Sequence, residues 1–115
     1  MRNLFRLAAG IALLTASIAR ADPPMNLIVE HVNKQGNDRN LSQIYLVGVV
    51  DGFGWVNAEL SINGQNKLYC QPTKLALEPD QIVSIFMNFS KKWHADSKAP
   101  AGMIMLLALQ ETFPC

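Results

Sequence analysis

"YLVGVVDGFGWV", Tyr45 to Val56, decides the fold of this chain, because its local rules point two ways. Two runs rich in β-branched and aromatic residues meet at Asp51-Gly52, a dipeptide typical of tight hairpins. The same residues set Gly48 and Gly52 about one helical turn apart, where a neighbouring helix can approach closely. The first run is apolar at every position, so as a strand it would be buried on both faces. The rest of the chain offers no further strands to sandwich it. Read instead as one helix from about Leu41 to Glu59, the segment has polar residues at Ser42, Gln43, Asp51, Asn57 and Glu59 and is otherwise apolar or small. Such a helix is expected to lie largely buried in a bundle, with Gly48, Asp51 and Gly52 in structural roles. Its three glycines cost about 1 kcal/mol each relative to alanine, which close packing against a neighbour has to offset. Asp51 interrupts a run already too short to span a membrane. Periodicity favours the helix and leaves the hairpin open.

Towards the N-terminus, Lys34 to Asn40 ("KQGNDRN") reads as a polar loop, and Met25 to Asn33 as a short helix with Leu27, Ile28 and Val32 at helical spacing. Asp22-Pro23-Pro24 cannot be helical until after the prolines. Before them, Arg2 and Arg6 precede an apolar run from Leu7 to Ile18, with small residues at Ala19 and Ala21. This pattern predicts a signal peptide over residues 1–21, cleaved after Ala21, and an exported, periplasmic single domain over 22–115. An uncleaved N-terminal anchor is the alternative. Cleavage removes three of the ten basic residues and none of the nine acidic ones, leaving seven against nine, a net charge of −2. That balance argues against nucleic acid as a partner. Two cysteines remain, Cys70 and Cys115, and an oxidising compartment favours their pairing. The closed loop of about 46 residues corresponds to roughly 4 kcal/mol in the chain-entropy description. Free thiols or an intermolecular bridge are the alternatives.

Towards the C-terminus, Ser61 to Pro72 is polar and turn-rich around Asn63-Gly64, with Tyr69-Cys70 returning to the core. Glu78 to Asp96 carries the clearest helical period in the chain. Pro79 suits a first helical position and Asp80 the positive end of the dipole. Ile82, Ile85, Phe86, Phe89 and Trp93 form one stripe, with Gln81, Ser84, Asn88, Lys91 and Lys92 opposite. Ala101 to Phe113 is apolar nearly all round until Gln110 and Glu111, and so reads as the central buried helix. The expected architecture is all-α, a small bundle of about four helices with one disulfide.

Enzyme chemistry is poorly represented. His31 and His94 lie in different segments with no neighbouring cysteine or paired carboxylate. A Cys-His nucleophile from Cys70 is conceivable, but disulfide pairing would silence it. Asp51 reads either as a hydrogen-bonded structural carboxylate or as an acid with a raised pKa. Asn88-Phe89-Ser90 matches a glycosylation sequon, discounted in mid-helix, and Met87, Met103 and Met105 read as core filling. No phosphate loop or metal-ligand spacing is present. No catalytic residue, cofactor or metal is expected, nor a membrane association after cleavage.

Three segments carry a resemblance to a known family. "YLVGVVDGFGW" resembles the "Y-x-x-G-x-x-D-G" helix of the type VI secretion amidase immunity proteins, the Rap/Tai family. "LYCQPTKLALEPDQIVSIFMNFSKKWHAD" resembles that family's cysteine-proline turn and following helix, and "APAGMIMLLALQETFPC" resembles its ending. The similarity covers Leu41 to Cys115. Many relatives carry a further cysteine where Ile44 stands here. The resemblance implies that Tyr45 to Val56 is helical, that Cys70 and Cys115 are bridged, and that the protein is often a periplasmic homodimer. The implied function is to bind a peptidoglycan amidase toxin and block its Cys-His cleft. Asn63, Gly64, Gln65, Asn66 and Lys67 in one polar loop, and Lys92, His94 and Asp96 in another, are the expected contact residues. A periplasmic helical stress chaperone, or another non-catalytic periplasmic binding protein, is the alternative from another class.

Overall fold

The computed structural model describes residues 22–93 and 98–115; the expected signal peptide, His94 and Asp96 lie outside the described residues. The described residues form four helices in order: α1 (Met25–Lys34), α2 (Asn37–Ile62), α3 (Pro79–Trp93) and α4 (Ala101–Thr112). Tyr45 to Val56 lies wholly inside α2, so Asp51-Gly52 is helix interior and not a turn.

The polar stretch Lys34 to Asn40 is mostly helical, contrary to expectation. The turn takes only Gln35 and Gly36, both at positive φ (62° and 71°), a region that glycine enters without steric cost. Asp38 then falls in the first turn of α2, where the helix dipole favours an acid. Arg39 secures the corner by donating from Nη1 to the Val32 carbonyl at 3.1 Å.

Leu46, Phe86, Met105 and Leu109 are the largest fully buried side chains, and α1 adds Met25, Ile28 and Val32. On α3 the expected stripe holds at Ile82 and Phe86, Val83 joins it, and all five residues of the polar face are exposed. Trp93 departs from the stripe: it is exposed in the last helical turn and finds a polar partner instead. α4 buries Ala101, Ile104, Met105, Ala108 and Leu109 but leaves Met103 and Leu107 exposed.

α2 corrects a larger expectation. It buries only Ser42, Leu46 and Val50, while Leu41, Ile44, Trp55, Val56 and Ile62 are exposed. A Cβ built at Gly48, Gly52 or Gly54 would meet nothing within 4 Å, so among the described residues no neighbour packs against these glycines. Asp51 is exposed too, neither buried nor bonded to the end of another element. The reason is length: a helix of 26 residues stands beside helices of 10, 15 and 12, which cannot surround it.

The residues before α1 are laced to those before α4. Met25 N–H donates to the Ala99 carbonyl at 2.8 Å, and Ala101 N–H to the Pro23 carbonyl at 2.9 Å. The Asp22 carboxylate accepts from the Tyr45 hydroxyl and, at 3.4 Å, from Gly102 N–H. Partial burial and then the Asp22 carboxylate hold the Tyr45 phenol well above its usual range. The neutral phenol is thus favoured by folding. Its contribution is complete below the unfolded value of about 10 and is lost as pH rises through the folded value. Tyr45→Phe should lower stability at pH 7 by about 1 kcal/mol. It should also flatten the alkaline fall in melting temperature, measured between about pH 8 and 12; Tyr69, whose phenol burial also raises, retains the remainder.

Candidate partner-binding site

The first candidate loop begins with a helix stop that the sequence dictates. Gly64 takes the left-handed conformation at φ 67°. Around it, Gln65 N–H donates to the Leu60 carbonyl at 2.8 Å and Gly64 N–H to the Ser61 carbonyl at 3.1 Å. This is the paired bonding of a Schellman motif, which needs a residue without a side-chain clash at the Gly64 position. The Asn63 amide adds bonds from Nδ2 to the Glu59 carbonyl and to Glu59 Oε1, both at 3.0 Å. Asn63 to Lys67 are all exposed.

The base of the loop is clamped. Asn57 on α2 accepts from Leu68 N–H through Oδ1 at 2.7 Å and donates from Nδ2 to the Tyr69 carbonyl at 3.1 Å. It thereby gives the backbone an edge to pair with, as a neighbouring strand would. Tyr69 is buried beneath it. Cys70 is joined to Cys115, and Cys70 N–H donates to the Phe113 carbonyl at 2.8 Å. From α4, Gln110 Nε2 donates to the Leu68 carbonyl at 3.2 Å.

The second candidate segment reaches the same end of α4. Lys92 pairs with the Glu111 carboxylate, and Trp93 Nε1 donates to Glu111 Oε2 at 2.9 Å. These two bonds, Lys92 first, hold the Glu111 carboxyl below the usual carboxylate range. The Lys92 ammonium also lies 5.6 Å from the Trp93 ring centre, within cation–π reach. Consecutive residues of α4, Gln110 and Glu111, therefore anchor the two segments. Asn63 to Lys67 and Lys92 come to one end of the bundle, whereas His94 and Asp96 lie outside the described residues. Asn57, Gln110 and Glu111 are the positioning residues that sequence reading left unassigned. Their only signal was polarity in otherwise apolar helices.

Both cysteines are consumed by the bridge, so Cys70 is not a thiolate nucleophile. Among the described residues no group of three or more His, Cys, Asp or Glu side chains is placed to hold a metal ion, and no helix is long and apolar enough to cross a membrane. The arrangement presents polar groups on a rigid base, suited to binding another surface. The family model of the Rap1a immunity proteins matches residues 26–115, nearly the whole four-helix unit. The chain belongs to the Rap1a immunity protein family. Neither the curated proteins nor the solved structures include a match. Membership implies an immunity function, exercised by binding a toxin effector. Within this Rap1a family member, the all-α bundle and the Cys70–Cys115 bridge agree with what the segment resemblances implied.

Proposed function

We propose that this protein is a periplasmic immunity protein, released from a signal peptide at Ala21, that binds and blocks a peptidoglycan amidase delivered by type VI secretion. The Rap1a family match across residues 26–115 carries the reading. The exposed loop Asn63 to Lys67 and Lys92, held at one end of the bundle, support it as the contact surface. Blocking a cleft needs no catalysis here, only a preorganised projection that excludes substrate and water. We include in this reading that the chain pairs with itself.

The test is direct. Asp22 to Cys115, folded under oxidising conditions, is mixed with amidases from type VI-bearing strains, and peptidoglycan hydrolysis is followed. Stoichiometric capture with lost hydrolysis is expected. Alanine at Asn63, Gln65 and Asn66, with Gly64 kept for its backbone, should weaken capture at least about tenfold. Unchanged capture by that variant and by Lys92→Ala would remove this end as the contact surface. The exposed apolar face of α2 favours a second reading, a helical stress chaperone. That role predicts dye binding at about pH 2 to 3 and suppressed aggregation of a client, with no amidase captured.

A further inference from the structure

We propose that the valley between α2 and the chain from Lys67 to Leu77 binds a short extended peptide of about four or five residues. Its amino terminus lies at Asp51 and Trp55 and its carboxyl terminus at Lys67. Peptide binding here requires no amidase, and only Lys67 is shared with the proposed toxin contact.

Two cavities make up the valley. One, of about 540 Å³, runs from Asp51 and Trp55 to Ala58. The other, of about 560 Å³, runs from Gly54 to Ser61 and Lys67. They share Gly54, Ala58, Tyr69 and Gln71, so they form one continuous trough. Asp51, Gly54, Ala58 and Ser61 follow one another by three or four residues, so a single face of α2 forms the whole wall.

Small residues keep that wall low. Gly54 has no positive φ, so its backbone does not require glycine, and the space where a Cβ would sit is open. Across the trough, Gln71 Nε2 donates to the Leu75 carbonyl at 2.6 Å, and Leu75 N–H to the Pro72 carbonyl at 3.0 Å. With the Asn57 clamp and the Cys70–Cys115 bridge, these bonds fix the second wall before any ligand arrives. A wall already ordered lowers the cost of binding.

The two ends carry opposite charge. Asp51 and Lys67 are both exposed, and among the described residues neither has a hydrogen-bond or ion-pair partner. Trp55, 78% exposed, stands one turn from Asp51 on the same cavity. The molecule shows elsewhere what such a pair holds. At Glu111 and Trp93 the same combination of carboxylate and indole is occupied by the Lys92 ammonium, 5.6 Å from the ring centre. At Asp51 and Trp55 the chain supplies no cation, and an ammonium from outside completes the set. Lys67 in turn lacks an anion, which a terminal carboxylate provides.

Length decides the class of ligand. From Asp51 to Ser61 α2 rises about 15 Å. An extended chain covers that distance in four or five residues, at about 3.3 Å each. Val50, Leu77 and Ile82 near one end, and Pro72 and Leu75 near the other, favour apolar side chains between the two termini.

NMR titration of isotope-labelled Asp22 to Cys115 with tetra-alanine tests this. The Trp55 indole N–H and the Gly54 amide should shift, with a dissociation constant of about 1 mM or below, while the Trp93 indole stays in place. Acetylating the amino terminus or amidating the carboxyl terminus should each weaken binding at least about threefold, the scale of one exposed ion pair. Asp51→Asn should erase the effect of acetylation but keep that of amidation, and Lys67→Ala the reverse. A purely structural role for either residue would not produce that crossed pattern. Gly54→Leu should fill the trough and abolish the shifts. Leucine favours the helix, so the melting temperature should not fall and the loss does not come from unfolding. Equal binding of capped and free peptides, shifts confined to other residues, or no shifts by about 20 mM peptide would overturn the site.

Discussion

Phe86→Ala is expected to lower the free energy of unfolding by roughly 3–5 kcal/mol. Phe86 is fully buried on α3, in the same cluster as Leu46 of α2 and Met105 and Leu109 of α4, each also fully buried. Truncation removes the ring from the place where three helices meet. The cavity left behind cannot close without moving a helix, and the cost of such a site grows with the volume that stays open. For a domain of this size each kcal/mol shifts the melting temperature by about 4–8 °C, so a fall of more than about 12 °C is expected. Phe86→Leu keeps most of the volume and should cost about 1.5 kcal/mol or less. Urea unfolding of the three proteins checks both numbers. A loss below about 1 kcal/mol for Phe86→Ala would show that the three helices do not share this core.

The difference between α3 and α2 explains what a sequence can and cannot disclose here. On α3 every third or fourth residue is apolar and the opposite face carries Gln81, Ser84, Asn88, Lys91 and Lys92, so the buried side is written in the pattern. On α2 apolar residues run all round. The helix itself can then be inferred, from unbroken apolarity and the lack of partner strands, but not which side faces inward. Leu46 and Val50 face the core while Ile44 and Trp55, equally apolar, face out. Nothing in their local sequence separates the two pairs. The α1–α2 corner misleads in the opposite sense. Its polar residues suggest a loop, yet they are the solvent-facing first turn of a helix, and only Gln35 and Gly36 turn the chain.

The candidate site was half legible for a similar reason. Asn63-Gly64 specifies its helix stop by local chemistry, because the bonds that close it span only a few residues. What holds the loop in place is not local. Asn57 reaches Leu68 and Tyr69, Gln110 reaches back to Leu68, and Glu111 meets Lys92 and Trp93. Those pairings exist only once the helices are assembled. Trp93 shows the same effect: its spacing places it with the core, but its indole N–H requires a polar partner and Glu111 supplies one at the surface.

Replacing both Cys70 and Cys115 by serine is expected to cost about 4 kcal/mol, the loop-closure entropy of a bridge across this much chain, whose sequence separation is 45. Small domains hold roughly 5–15 kcal/mol in all, so the bridge is a large share of what keeps this one folded. Cys70 follows directly on the buried Tyr69, and Cys115 ends the segment that carries Phe113 against the core. Without the bond, the last residues are held by the hydrogen bonds of Phe113 with Cys70 and Leu109 and by the packing of Phe113, and the residues beyond it fray. The candidate loop shares that base, so binding should weaken beyond the stability loss, as the loop must be ordered on contact. Urea unfolding of the natural chain with and without a thiol reductant checks the first part: the reduced protein should coincide with the double serine variant. If reductant leaves the midpoint unchanged, the bridge does not form in solution. If it shifts as expected, folding to full stability requires an oxidising compartment, the property on which the proposed periplasmic role depends.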